Sequence, residues 1–103
     1  MIYKINRSHL FEIQLDQILD YIKVSFSSEK SLEYLAYLQS QIESLKEFPN
    51  LGKKVSLKTN NIKPTNAFIS KKNIVFYRVN EEEKTVVLIA ITNANQNYLN
   101  LMK

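Results

Sequence analysis

The chain has 103 residues, of which 45% are hydrophobic and 23% charged, with one glycine, two prolines and no cysteine. This composition excludes collagen-like, disulfide-scaffold and disordered chains, because each of these classes needs a compositional bias that is missing. Without cysteine there is no disulfide, thiol nucleophile or thiolate zinc site. We expect one domain over residues 1–103, since a chain of this size builds a single core.

The net charge of +4 is unevenly distributed along the chain. Residues 1–47 hold five basic and seven acidic side chains, whereas residues 48–103 hold nine basic and three acidic ones. Seven basic residues without an acidic one lie between positions 53 and 78: Lys53, Lys54, Lys58, Lys63, Lys71, Lys72 and Arg78. Such an excess attracts polyanions or acidic protein segments. The alternative is a solvated face whose lysines promote solubility.

The first half of the chain predicts a short strand followed by two helices. Ile2, Tyr3 and Ile5 begin a strand, and Ser8 is a candidate N-cap for the first helix. Apolar residues at steps of three and four predict its buried face: Phe11, Leu15, Ile18, Leu19, Ile22 and Phe26. Glu12, Asp16 and Asp20 occupy the solvent side.

A serine-rich break at residues 25–28 separates the first helix from the second. The apolar residues of the second helix are Leu32, Leu35, Ala36, Leu38, Ile42 and Leu45. The helix is expected to end at Pro49, and Gly52 is expected to allow a left-handed turn. A short break between two amphipathic helices predicts an antiparallel helical hairpin.

After Gly52 the periodicity becomes strand-like. Residues 55–57 alternate weakly, residues 67–69 lead to a polar turn at Ser70-Lys71-Lys72-Asn73, and a charged turn at residues 80–84 separates two further strands. Their β-branched and aromatic content suits a central hairpin. The predicted fold is α+β: an N-terminal strand and a helical hairpin packed on a small antiparallel sheet, in the order β-α-α-β-β-β. The amide-rich tail, residues 93–103, ends in a candidate helical turn.

Four segments carry a resemblance to a known family: Ile18-Leu19-Asp20-Tyr21-Ile22, Leu45-Lys46-Glu47-Phe48-Pro49-Asn50-Leu51-Gly52, Ile74-Val75-Phe76-Tyr77-Arg78-Val79, and the strand from Val86 to Ile91. In this order and spacing the chain resembles the RelE/ParE superfamily of type II toxin–antitoxin toxins. The resemblance implies a bacterial, cytoplasmic toxin that inhibits growth, needs no cofactor and forms a hetero-oligomer with a cognate antitoxin. The chain has no apolar run long enough for a membrane span, so no membrane partner is expected.

The family divides into RelE-like toxins, which cleave mRNA in the ribosomal A site, and ParE-like toxins, which poison DNA gyrase. The resemblance places the family's active-site positions at Asn66, Ala90 and the segment Asn93-Ala94-Asn95-Gln96, with Tyr98 matching the terminal tyrosine. Asparagine and glutamine cannot act as a general base as histidine does, and they carry no permanent charge. A ParE-like toxin that acts by binding, with DNA gyrase as its candidate target, is therefore the preferred interpretation.

Two alternatives are kept. The first is a ribosome-dependent mRNA interferase with a non-standard catalytic site at Lys71, Lys72, Arg78 and Tyr98. The second is a degenerate, non-toxic binding module, which would cause no growth defect. In each case Lys53, Lys54, Lys58, Lys71 and Lys72 form the candidate surface for a polyanion or an acidic antitoxin tail. That tail is expected to add to the sheet as a strand or helix.

Other single residues favour structural roles. His9 is the only histidine and begins the first helix, so a metal site or catalysis through it is not expected. Arg78 is interpreted as an ion-pair partner of residues 81–83 or of the helical hairpin, or as a phosphate contact. Tyr77 and Tyr98 could stack on bases, although core or rim positions are the commoner use of tyrosine. No glycine-rich phosphate loop or nucleophile elbow is present.

Overall fold

The computed structural model describes residues 2–55 and 65–94. The elements in chain order are β1 (Lys4–Arg7), α1 (His9–Ser25), α2 (Ser28–Glu47), β2 (Lys53–Val55), β3 (Thr65–Ser70), β4 (Asn73–Asn80) and β5 (Thr85–Asn93). The predicted α+β order is confirmed, and β2 adds a short strand directly after the helical hairpin. Residues 56–64 and 95–103, which include Lys58, Lys63, Gln96, Tyr98 and the predicted C-terminal turn, lie outside the described residues.

The five strands form one sheet in the order β1-β5-β4-β3-β2. Strands β2 to β5 pair antiparallel, as predicted. Strand β1 instead pairs parallel with β5, Lys4 lying opposite Thr85, so the sheet is mixed. Parallel neighbours need a long crossover, and the helical hairpin with the three strands that follow it supplies one here. In the strand order of the described residues, β1 and β2 are the two outer strands.

Serine side chains begin both helices. The Ser8 hydroxyl accepts a hydrogen bond from the Phe11 N–H (3.0 Å) and donates to the Ile89 carbonyl (2.7 Å), so the predicted N-cap also ties α1 to β5. The Ser27 hydroxyl accepts from the Lys30 N–H at 3.0 Å. The prediction for Phe26 is wrong: it ends α1 with a non-helical backbone and is 68% exposed.

Both helices pack on one face of the sheet. The main core joins residues of α1 and α2 to inward residues of β4 and β5: Phe11, Leu15, Tyr34, Leu38, Ile42, Leu45, Val75, Tyr77, Val86, Leu88 and Ile91. A second cluster, Val55, Ala67, Ile74 and Phe76, lies on the other face. The prediction that Leu32 packs inward is wrong, since it is exposed and Tyr34 occupies the inward position. The buried row of α2 is Tyr34, Leu38, Ile42 and Leu45, at steps of three and four, and Leu32 lies about 200° around the helix from Tyr34.

Gly52 allows a close approach of chain segments. Its backbone φ is not positive, so the predicted left-handed turn is wrong. A Cβ at this position would lie 2.6 Å from the Ala67 carbonyl oxygen and 2.7 Å from the Tyr77 hydroxyl. That hydroxyl accepts from the Gly52 N–H (2.9 Å) and donates to the Pro49 carbonyl (2.8 Å). Tyr77 therefore fastens the end of the helical hairpin to the middle of the sheet.

Burial raises the pKa of the Tyr77 hydroxyl above its ordinary value of 10.0, and the hydrogen bond from Gly52 opposes this only in part. Because the folded-state pKa is the higher one, the unfolded chain releases this proton first as the pH rises. The stability contributed by neutral Tyr77 is complete below pH 10.0 and is lost as the pH rises through the folded-state value.

We expect the free energy of unfolding of the wild type to fall more steeply above pH 10 than that of Tyr77→Phe. The variant should be about 1 kcal/mol less stable at neutral pH, since it loses the hydroxyl's hydrogen bonds. Urea unfolding followed by circular dichroism at increasing pH measures both effects. Tyr37→Phe, at an exposed tyrosine, is the control. Equal pH slopes for all three proteins would contradict the prediction.

Within the described residues, no helix combines the length and the apolar character needed to cross a membrane.

Candidate binding surface and relation to known toxins

The turn between β3 and β4 is held by a buried tyrosine of α2. The Tyr34 hydroxyl lies 3.2 Å from the carbonyl oxygen and 3.0 Å from the side-chain oxygen of Ser70. It also accepts a hydrogen bond from the Asn73 amide at 3.0 Å. Ser70 and Asn73 are the paired residues that flank the turn. Since both are buried, this network fixes the end of the hairpin against the helix.

Lys71 and Lys72 form the tip of this turn and are exposed, in the polar turn that the sequence predicts. Lys71 adopts a left-handed backbone with φ of 55°. Its ammonium lies 4.9 Å from the centroid of the Tyr37 ring, which is a cation–π distance. The two tyrosines Tyr34 and Tyr37 therefore position a turn that presents two positive charges to solvent.

Lys53 and Lys54 lie on the outer strand β2 and are both exposed. Lys53 is opposite Ala67 and Lys54 is opposite Asn66, so their side chains leave opposite faces of the sheet. Ala67, the residue opposite Lys53, comes four residues before Lys71. Lys53 and Lys71 are therefore about 13 Å apart along the strand direction. We call Lys53, Lys54, Lys71 and Lys72 the basic quartet. It borders the β2 side of the sheet and does not form a compact pocket.

Arg78 lies on β4 opposite Val87 and is partly buried. Its Nε atom is buried without a hydrogen-bond partner in the part of the chain that the structure describes. The predicted ion pair is wrong for residues 81–83 and for the helical hairpin, since Arg78 has no ion pair with a described residue and lies on the sheet face opposite the helices. Glu81 instead accepts a hydrogen bond from the Tyr3 hydroxyl (2.5 Å) and lies 3.6 Å from the Lys84 ammonium. The acidic turn therefore holds the segment at β1. Arg78 lies on the same face of the sheet as Phe76, two residues before it in β4.

Among the positions assigned from the family resemblance, the described ones do not converge. Asn66 pairs with Tyr77 and so faces the helices. Ala90 pairs with Phe76 on the other face, where it packs against the second cluster. Asn93 ends β5 opposite Asn73 and is exposed. Of the described positions Asn66, Ala90 and Asn93, none offers a cation or a group that titrates near neutral pH.

His9 is exposed as the first residue of α1. In residues 2–55 and 65–94, no three His, Asp or Glu side chains are grouped so as to hold a metal ion. The base-stacking interpretation of Tyr77 is wrong, because its ring is fully buried in the core.

Sequence reasoning missed the polar side chains that fasten the helices to the sheet. Tyr34 and Gln14 read as ordinary helix residues, yet Gln14 accepts a hydrogen bond from the Ile91 N–H at 2.9 Å. Gln41 donates to the Ile69 carbonyl at 3.2 Å. The available signal was weak: all three are polar or amphipathic residues next to the apolar row of their helix. Their partners are distant in sequence, so only the register of the sheet identifies them.

The sequence model of one protein family matches residues 5–98, and that family is described as the ParE toxin of the type II toxin–antitoxin system, parDE. The chain belongs to the ParE toxin family. This confirms the RelE/ParE resemblance and makes the protein a relative of type II toxins that pair with an antitoxin. No curated protein matches the ParE-family chain with significance.

Solved structures similar to this ParE-family chain also come from toxin–antitoxin systems. A chromosomal ParDE system of P. aeruginosa aligns with a TM-score of 0.73 and 17% identity, covering 91% of this chain and 98% of the other. The archaeal RelE–RelB complex from Pyrococcus horikoshii gives 0.64 and 12% identity, covering 93% and 99%. A mutant of E. coli RelE in the free state gives 0.57 and 14% identity, covering 99% and 95%. At these identities the likeness supports the fold.

Proposed function

We propose that this ParE-family chain is a single-domain cytoplasmic toxin, residues 1–103, that arrests growth by binding an essential target and not by cutting RNA. DNA gyrase is the candidate target. The observation that carries the proposal is the family match over residues 5–98. The chemistry of Asn66, Ala90 and Asn93 supports the binding mechanism.

RNA cleavage at a ribose 2′-hydroxyl needs a proton acceptor and cations near the phosphate. Asn66 and Ala90 supply neither and leave opposite faces of the sheet. The exposed cations Lys71 and Lys72 belong to the hairpin tip, about 13 Å along β3 from the level of Lys53. Such spacing suits an extended charged partner better than a single reacting phosphate.

The deciding experiment compares two targets with one preparation of the purified chain. We expect inhibition of gyrase supercoiling, and no cleavage of mRNA on programmed ribosomes. Ribosome-dependent cleavage that is abolished by Tyr98→Phe would overturn the proposal and establish the interferase alternative. Expression without the antitoxin is the accompanying growth test. Unimpaired growth would overturn toxicity itself and leave a binding module.

One observation favours the interferase alternative, and it calls for a separate experiment. Arg78, whose Nε is buried without a hydrogen-bond partner among the described residues, brings a guanidinium to the sheet face that also carries Lys53. A cation in that setting is suited to a phosphate. If Lys71, Lys72 and Arg78 are changed to alanine and growth arrest persists, this alternative fails.

We further propose that the partner of the basic quartet is the acidic segment of a cognate antitoxin, giving a toxin–antitoxin hetero-oligomer. β2 is the outer strand on this side of the described sheet. Lys53 and Lys54 are exposed on it. The β3–β4 turn places two more cations, Lys71 and Lys72, beyond the Lys53 end of this strand. An extended chain laid along this side would meet all four charges, and an added strand is a common way to bind there. Lys58, outside the described residues, is a further candidate by its position in the sequence alone.

A further inference from the structure

The outer side of α1 carries apolar residues that the core does not use. Leu10 is 51% exposed, Ile13 42%, Tyr21 66% and Val24 86%. We call these four residues the outer stripe. At 100° per residue they fall within about 80° of one another, on the side of the helix turned away from Phe11 and Leu15. Exposed apolar side chains aligned in this way indicate a docking surface more than scattered exposure does.

The outer stripe is symmetric about the middle of the helix. α1 spans His9–Ser25, and its midpoint is Gln17, an exposed residue on the same side. Leu10 and Val24 are equally far from Gln17, and so are Ile13 and Tyr21. The steps 10, 13, 17, 21 and 24 form a short coiled-coil seam with one polar residue at its centre. If the helix is reversed about Gln17, each apolar position falls on another apolar position.

We infer that the outer stripe is a self-association surface, on which α1 of a second copy of this chain packs antiparallel about a two-fold axis at Gln17. A symmetric dimer requires a self-complementary patch, which a reversed repeat of apolar residues provides. Leu10 then packs near Val24 of the other copy, and Ile13 near Tyr21. The two Gln17 amides meet at the axis, where each donates and accepts a hydrogen bond. A central polar residue also fixes the register of the seam.

The size of the surface sets the strength of this dimer. A 17-residue helix is about 25 Å long and about 10 Å wide, so the contact covers roughly 250 Å² of each copy's surface in projection. A standard stable interface buries about 800 Å² per partner, so the dimer is weak and concentration-dependent. Its role is a reversible association of the free toxin.

The charges beside the stripe give the dimer a distinctive salt response. Asp16 and Asp20 lie along one flank of α1 and are exposed. In an antiparallel pair about this axis, each flank meets the same flank of the other copy, so like charges approach. Salt screens that repulsion and strengthens the dimer. Attraction of an acidic partner to the basic quartet has the opposite salt dependence.

Single-cysteine variants test the geometry, because the natural chain has no cysteine. On mild oxidation, Gln17→Cys should form disulfide dimers at least about tenfold faster than Leu51→Cys, since only a residue on the axis meets itself. Leu10→Cys and Val24→Cys should cross-link slowly alone and rapidly when mixed. Leu51 is the matched control, being 61% exposed and outside α1. Equal rates for Gln17→Cys and Leu51→Cys would overturn the inference.

Sedimentation of the full chain without added thiols gives a second readout. Gln17→Glu should weaken self-association roughly fivefold to tenfold at neutral pH, because two like charges meet at the axis. Leu51→Glu should leave it unchanged. A wild type that stays monomeric at the highest soluble concentration would overturn the inference, as would equal effects of the two variants. Neither experiment depends on toxicity. A failure of the self-association inference can therefore be distinguished from a failure of the proposed function.

Discussion

Gly52→Ala is expected to destabilise the fold by about 3 kcal/mol, from overpacking and a lost hydrogen bond. In a domain of this size that lowers the melting temperature by roughly 10–20 °C. The added methyl would lie 2.6 Å from the Ala67 carbonyl oxygen and 2.7 Å from the Tyr77 hydroxyl. The first is backbone inside a paired strand and the second belongs to a fully buried ring, so neither moves without cost.

A double-mutant cycle separates this explanation from a general effect of losing glycine. Tyr77→Phe removes one of the colliding atoms, so it should cost less in the Gly52→Ala background than in the wild type. Asn50→Ala, at an exposed position of the same turn, is the control and should change stability by less than about 0.5 kcal/mol. Thermal melts and urea titrations measure the four proteins of the cycle and the Asn50→Ala control. If Gly52→Ala behaves like Asn50→Ala, the close approach has no energetic importance.

The elements could be predicted because local periodicity determines them. The apolar steps of α1, the serine that begins it and the β-branched run of β4 each depend on neighbouring residues only. The direction of β1 could not be predicted, since pairing with β5 joins segments about eighty residues apart. The role of Gly52 was mistaken for the same reason: the atoms that require a glycine belong to Ala67 and Tyr77, which lie on other strands.

The candidate surface was predictable in its charge and not in its geometry. The sequence identifies Lys53, Lys54, Lys71 and Lys72 as a basic group, but sheet register decides that the first two leave opposite faces. Likewise, Asn66 and Ala90 can be matched to family positions by order alone, whereas their faces depend on which residues of β4 they pair with. A pairing shift of one residue would exchange those faces.

Reversing the basic quartet, Lys53/Lys54/Lys71/Lys72→Glu, is expected to slow association with the cognate antitoxin at least about tenfold at low salt. At low salt the Debye length, about 30 Å at 0.01 M, exceeds the spacing of about 13 Å along the strands, so an extended acidic segment approaching this side feels the four cations as one field. At about 0.1–0.15 M the Debye length falls to about 8–10 Å and the field weakens. Steering acts mainly on the association rate. The wild-type rate should therefore fall as salt rises, while that of the variant should stay flat or increase.

The matched control changes four basic residues beside the opposite outer strand, Lys4/Arg7/Lys46/Lys84→Glu, with the same change in net charge. Lys46 and Lys84 lose exposed ion pairs with Glu43 and Glu81, which contribute little to stability. If position matters, this control retains most of the wild-type rate and its salt slope, because its charges lie beside β1, at the other edge of the sheet from β2. Melting curves of both variants establish that each is folded. Equal rates and equal salt slopes for the two variants would show that net charge alone acts, and would reduce the basic quartet to a solvated surface.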